Sequence, residues 1–198
     1  MILIKDLFET YNKNLQYFNE LFKVELKIRK RESSLGVFWK IILGLIIIIV
    51  LGIIFNKGFY KENNYLVYLA MNYYLWQLIQ DTLNDSPTIL STHRNVLENN
   101  NISPLIFLIK NACINFYVYL FSCSIILLLI VYFNLISFKI FLSIFAIIFV
   151  FLNTLLISII LSYLQEKFSD VNSLIKLITL VLFLSTPIIW SEKIFNNF

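Results

Sequence analysis

The sequence predicts an all-α integral membrane protein. Three observations carry that expectation. Of 198 residues, 59% are hydrophobic and 14% are charged, whereas a soluble domain carries about a quarter charged residues. The apolar residues come in long unbroken runs, without the period-two alternation of a membrane barrel. With 4 Gly and 3 Pro, the chain has few turn formers, so the runs must be long helices. A helix also satisfies its own backbone hydrogen bonds, as any segment in lipid has to.

Taken in order, residues 1–34 are expected to form an amphipathic helix at the membrane surface. Leu3, Leu7, Phe8, Leu15, Phe18, Leu21 and Phe22 recur at helical spacing among basic residues. This segment lacks the short apolar core and small-residue cleavage site of a signal peptide. The first span, 37–55, is about 28 Å long at 1.5 Å per residue, close to the hydrocarbon thickness. Lys40 lies one turn inside it, where its ammonium would snorkel to the headgroups. The second span, 65–83, carries Asn72, Gln77, Gln80 and Asp81, which should face other helices or a cavity rather than lipid. A polar loop, 84–104, is long enough for a short helix. The third span, 105–133, has Lys110, Asn111 and Asn115 in its first turns. Spans four and five are expected at 140–164 and 174–190, completing one transmembrane domain over 1–198.

Lys5, Lys13, Lys23, Lys27, Arg29, Lys30 and Arg31 precede the first span, and Arg94 and Lys167 fall on the same side. Lys57, Lys61, Lys139 and Lys193 fall on the other. The imbalance predicts a cytoplasmic N-terminus in the inner (plasma) membrane. Because the basic residues flank an apolar run, the net charge of +4 is a topology signal, and no nucleic-acid partner is expected.

Little points to chemistry. His93 is the sole histidine, in a polar loop, and no ligand stands at metal-binding spacing from it. Cys113 and Cys123 lie about 15 Å apart along one helix and read as small buried hydrophobes. There is no phosphate-binding glycine loop and no Gly-x-Ser-x-Gly turn. Asp81, Asp85, Glu98, Glu166 and Asp170 are sparse carboxylates near one surface. The chain itself is therefore expected to need no cofactor or metal and not to be an enzyme.

Four stretches carry a resemblance over residues 29–190. Arg31-Glu32-Ser33-Ser34-Leu35-Gly36-Val37-Phe38-Trp39 opens the first span, where Gly36 permits a break and Trp39 suits the interfacial belt. Trp76-Gln77 lies in the second. Asn95 through Pro104, Lys110, Asn111 and Asn115-Phe116 enter the third. Lys167-Phe168-Ser169-Asp170-Val171 precedes the fifth, which ends Phe183-Leu184-Ser185-Thr186-Pro187-Ile188-Ile189-Trp190. In order and spacing they resemble the permease subunit of polysaccharide ABC exporters, the type-2 family that exports O-antigen, capsule and teichoic acid chains. Leu75 stands where the family often has Pro, and Ser169 where it has Arg. The family usually continues past Thr-Pro-Ile through a re-entrant segment and a sixth span, while this sequence stops at Phe198 with five.

The resemblance implies a homodimer in which each copy docks a separate ABC ATPase subunit, so ATP would be hydrolysed outside this chain. Contact would come from the N-terminal helix and the 84–101 region, with Thr92, His93, Arg94, Asn95 and Leu97 at the lever's tip. The cargo would be a lipid-linked polysaccharide passing Tyr73, Tyr74, Trp76, Phe116, Tyr117 and Tyr119, with Arg29, Lys30 and Arg31 near the carrier's pyrophosphate. From the residues alone, the aromatics read first as packing or lipid contacts, and the basic triplet as a topology signal or anchor. Three rivals stand beside this reading: a drug-exporting ABC permease, a non-transporting anchor, and a membrane-embedded enzyme of lipid or glycan synthesis. The enzyme would need converging acidic or His residues.

Overall fold

The computed structural model describes residues 16–28, 31, 36, 38–58, 65–99, 103–134 and 139–189. Among them are the helices α1 (residues 16–28), α2 (Phe38–Gly58), α3 (Tyr65–Thr92), α4 (Arg94–Asn99), α5 (Leu105–Tyr132), α6 (Lys139–Lys167) and α7 (Val171–Ser185). The described residues hold no strand. Stretches of three helices, Phe38–Phe55, Leu105–Tyr132 and Leu142–Lys167, are long and apolar enough to cross a bilayer. α3 is as long as α5, at 28 residues, but carries too many polar groups to qualify by composition. α7, at 15 residues, is shorter than the roughly 20 that a span needs. The five expected spans thus fall on three apolar helices, one long polar-seamed helix and one short helix.

Placement explains the difference. α3 is the hub, packed against α2, α5, α6 and α7, so its polar side chains meet protein. The outer helices present Ile46, Ile49, Ile53, Leu128, Phe145, Phe149 and Leu156 outward. A water-soluble molecule does not expose an apolar surface of that extent. The molecule is an all-α, multi-pass membrane protein.

Two helix ends differ from expectation for local reasons. α3 does not stop near Leu83 but runs to Thr92, through Pro87. Proline has no N–H, which leaves the Leu83 carbonyl without its helical donor. The Ser86 hydroxyl supplies one at 2.8 Å. α7 ends at Ser185 because Thr186, preceding Pro187, is extended at φ −83°, ψ 147°. The segment beyond is tied back to the start of α3: Tyr65 Oη donates to the Ile189 carbonyl and Tyr68 Oη to the Pro187 carbonyl, both at 2.6 Å.

Two side-chain expectations change. Lys40 does not simply snorkel: its Nζ lies 2.7 Å from Asp81 Oδ2 on α3. The described part of the N-terminal helix rests on protein as well as facing outward. Tyr17 and Leu21 of α1 pack on Ile89, Leu90, Phe107 and Leu108, and Phe22 meets the Tyr117 ring edge-on at 6.2 Å. Leu3, Leu7, Phe8 and Leu15 lie outside the described residues.

Close helix approach depends on small residues. A Cβ on Gly44 of α2 would meet Tyr74 Cε1 at 2.8 Å. Tyr74 cannot retreat, being 1% exposed with its hydroxyl donating to the Ile41 carbonyl at 3.0 Å. Gly44→Ala is therefore expected to destabilise the bundle by about 1–3 kcal/mol, read as a lowered unfolding midpoint in lipid nanodiscs. An unchanged midpoint would show that α2 and α3 can separate at no cost.

Candidate functional site

The chain reverses at one end of the bundle, where α3 gives way to α4 and α5, and α6 to α7. His93 alone joins α3 to α4. Its N–H closes the last turn of α3 on the Ile89 carbonyl (3.1 Å), and its own carbonyl accepts from the N–H groups of Val96 and Leu97 (both 3.0 Å). Its ring stacks on Phe107 of α5, centroids 4.5 Å apart. On the same ring's other neighbours, Lys110 Nζ lies 5.9 Å from the Phe107 centroid and 3.0 Å from Glu25 Oε2 of α1. Lys110 is nearly buried, its side chain 6% exposed. The ring stack thus holds the α3–α4 junction to α5, and the charged pair holds α5 to α1.

Above this clamp, α4 faces outward. Arg94 Nε donates to Glu98 Oε1 at 2.7 Å, but both side chains are largely exposed, so the pair contributes little to stability. Asn95 is also exposed, whereas Val96 and Leu97 pack onto the cluster beneath. Thr92 Oγ1 donates back to the Thr88 carbonyl at 2.7 Å. A groove of about 600 Å³ runs between α4 and the end of α6, lined by Leu90, Ser91, Arg94, Glu98, Gln165 and Glu166 among others. Thr92, His93, Arg94, Asn95 and Leu97 therefore come together on one knob, Leu97 facing inward.

Burial and the Lys110 charge hold the His93 imidazole below its usual value of 6.5, with Glu25 opposing more weakly. The folded state favours the neutral ring, so its contribution is present above the ordinary histidine range and is lost as the pH falls through it. Acidification is expected to loosen α4, read as faster hydrogen exchange at residues 94–99. His93→Phe keeps the stack and should remove the pH dependence; persistence of that dependence would assign it to another group.

The aromatic residues expected along a single path are divided among several faces. Tyr73 and Trp76 turn to α7, their rings 6.4 and 6.1 Å from Phe183. Phe116 meets Phe151 of α6 at 4.7 Å and Tyr119 at 6.2 Å. Tyr117 lies on the α1 side, against Phe22 and Phe121. Tyr74, Trp76 and Tyr119 are buried in the chain, at 1%, 8% and 6% exposure. Tyr73, Phe116 and Tyr117 keep some surface.

The motif positions serve separate local jobs. Gly36 takes φ 54°, a left-handed turn ahead of α2, and Trp39 is exposed. Pro104 occupies the N-cap of α5 at φ −55°. Asn115 Nδ2 approaches Asp85 Oδ2 at 3.4 Å. Asp170 caps α7 with its backbone and makes no side-chain cap bond. Thr186 Oγ1 donates to the Leu182 carbonyl at 2.7 Å. Leu35, Trp190, Arg29 and Lys30 lie outside the described residues. Where Ser169 replaces the family's Arg, Gln165 clasps the turn: its Oε1 accepts from the Asn172 N–H (2.7 Å) and its Nε2 donates to the Ser169 carbonyl (2.9 Å). Sequence reasoning passed over Gln165, as it did the Glu25–Lys110 pair. Among the described residues, no three His, Cys, Asp or Glu side chains converge on a metal-sized site.

The described residues thus form a membrane bundle with an outward-facing helix, α4, held at one end. The sequence profile of the ABC-2 type transporter family matches residues 16–197, and the chain belongs to that family. No curated protein matches it at significant similarity. Membership makes it the transmembrane subunit of an ABC exporter, not itself an enzyme, and implies an ABC ATPase as partner.

Proposed function

We propose that this chain moves a lipid-linked polysaccharide of O-antigen or capsule type across the inner membrane. In this reading, two copies form the pathway and each takes a separate ATPase subunit on α4, with the N-terminus and α4 in the cytoplasm. The observation that supports it most is the clamp under α4. A rod that transmits the ATPase's closing motion must present polar groups outward and be unable to slip at its base. Arg94, Asn95 and Glu98 present the first feature. The His93–Phe107 stack and the inward Val96 and Leu97 supply the second. The sequence motifs resembling polysaccharide exporters support the cargo assignment.

The test is purification of the tagged chain in mild detergent, with the ATPase activity of what accompanies it measured in nanodiscs. An ABC ATPase is expected to co-purify, and to be lost when His93, Arg94 and Asn95 are all replaced by Ala while the chain keeps its helical content. A folded chain that brings down no ATPase would overturn the α4 docking. Stimulation by a lipid-linked glycan is expected; stimulation by hydrophobic drugs alone would replace the cargo assignment.

A further inference from the structure

One polar side chain deep in the bundle has half of its hydrogen-bonding capacity unused. Asn115 of α5 is 2% exposed. Its Nδ2 approaches Asp85 Oδ2 at 3.4 Å, and its Oδ1, fully enclosed, has no partner among the described residues. The amide cannot be turned over to relieve this, because its oxygen would then face the Asp85 carboxylate, acceptor against acceptor. An unpaired buried amide oxygen costs about 1–3 kcal/mol, more than a bundle of marginal stability leaves unmet without compensation.

Beside Asn115 lies a void between α3 and α5, with about 10 Å³ of room for a water-sized sphere. One buried water needs roughly 10–15 Å³ on that measure and two to four polar partners. The void's walls include Gln77, Asp81, Asn115 and Ser122. The Ser122 hydroxyl already donates to the Val118 carbonyl at 3.2 Å, so its oxygen is left as an acceptor. The Gln77 amide has N–H groups to give.

We propose that this void is a binding site for a single water molecule, which donates to Asn115 Oδ1, donates again to Asp81 or Ser122, and accepts from Gln77. The occupant is neutral. A monovalent cation would also suit amide and carboxylate oxygens, but Lys40 Nζ lies 2.7 Å from Asp81 Oδ2 and already compensates that charge. A water contact can be broken and remade at small cost. It therefore lies well between α3 and α5, whose ends carry α4: the two helices can shift without stranding a buried amide.

The experiment is millisecond X-ray radiolysis of the full chain in lipid nanodiscs, with oxidation located by mass spectrometry. Radicals from bulk water reach exposed rings such as Tyr132, at 79% exposure, and miss Tyr74 and Tyr119, at 1% and 6%. A water held in the void forms radicals next to both, since both line it. Oxidation of Tyr74 or Tyr119 at a rate comparable to that of Tyr132 is the expected result, with loss of it in Asn115→Leu. An unlabelled pair in the unaltered chain overturns the proposal, and that result does not depend on whether the variant folds. Labelling that survives Asn115→Leu, or that appears only when sodium is replaced by choline, overturns it as well; the latter outcome would make the occupant a cation.

Discussion

Glu25→Ala is expected to cost about 3 kcal/mol, the low end of the penalty for breaking a buried ion pair from one side, and to free α1 from the bundle. The two halves of the pair are not equivalent. The Lys110 side chain is 6% exposed and that of Glu25 27%. Without Glu25 the ammonium is left enclosed beside Phe107, whose ring face at 5.9 Å compensates by only about 0.5–1 kcal/mol. Without Lys110, the Glu25 carboxylate can turn toward solvent. Lys110→Met should therefore cost clearly less than Glu25→Ala, the thioether chain filling the same space. The double variant should recover part of the loss, since it leaves no buried charge without a partner, although alanine does not fill the space of Glu25. Unfolding midpoints in nanodiscs give the energies, and hydrogen exchange over residues 16–28 shows whether α1 has lifted. Equal losses from both single variants would mean that Lys110 is not buried as described. If α1 braces the knob at His93, ATP-coupled transport should fall with Glu25→Ala and return with the double variant.

The apolar helices were legible in the sequence because lipid exposure leaves a direct mark. α2 is a continuous apolar run, and nothing else uses Ile-Ile-Ile-Ile-Val at 46–50 in that way. The motif order over residues 29–190 likewise led to an ABC transporter permease, and the family match supports it at that level. What escaped were relations between distant residues. Lys40 and Asp81 are 41 positions apart, and Glu25 and Lys110 are 85 apart; neither spacing has a local signature. The length of α3 was missed for a different reason. Pro87 is ordinarily a stop signal, and the rescue of the Leu83 carbonyl by Ser86 shows only once both are placed. Tyr73, Tyr74, Trp76, Phe116, Tyr117 and Tyr119 fall in two short stretches of the sequence, which does not say which faces they share. On helices, neighbours in sequence turn through about 100° per residue, and the structure sends them to several faces. The polar residues of α3 already pointed to protein neighbours in the sequence, since a lipid-facing helix does not carry them; which helices those are shows only in the fold.

Ser158→Leu is expected to destabilise the bundle far more than Ser158→Ala. Thr154, Ser158 and Ser162 of α6 recur one turn apart and are 4%, 2% and 0% exposed, along the helix that packs against the hub. Between helices in lipid there is no hydrophobic gain to draw on, so association relies on small residues, close backbone approach and dispersion. The Ser158 hydroxyl donates within its own helix, to the Leu155 carbonyl at 2.7 Å. Ser158→Ala should therefore change stability by less than about 0.5 kcal/mol. Ser162 is different: its hydroxyl, 2.8 Å from the Ser158 carbonyl of its own helix, also reaches across to the Ser86 carbonyl at 2.7 Å, and Ser162→Ala should cost about 1 kcal/mol. A leucine at 158 keeps none of the close approach. It adds a branched side chain where the two helices meet, at about 1–3 kcal/mol for the overpacking, and by holding the helices apart it also breaks the Ser162–Ser86 bond one turn away. The predicted order of unfolding midpoints is Ser158→Ala above Ser162→Ala above Ser158→Leu. A Ser158→Leu chain as stable as Ser158→Ala would place α6 away from α3. Because Ser86 and Pro87 lie on the part of α3 that leads to α4, the same displacement should also move the knob, so transport should fall in Ser158→Leu even in the fraction that folds.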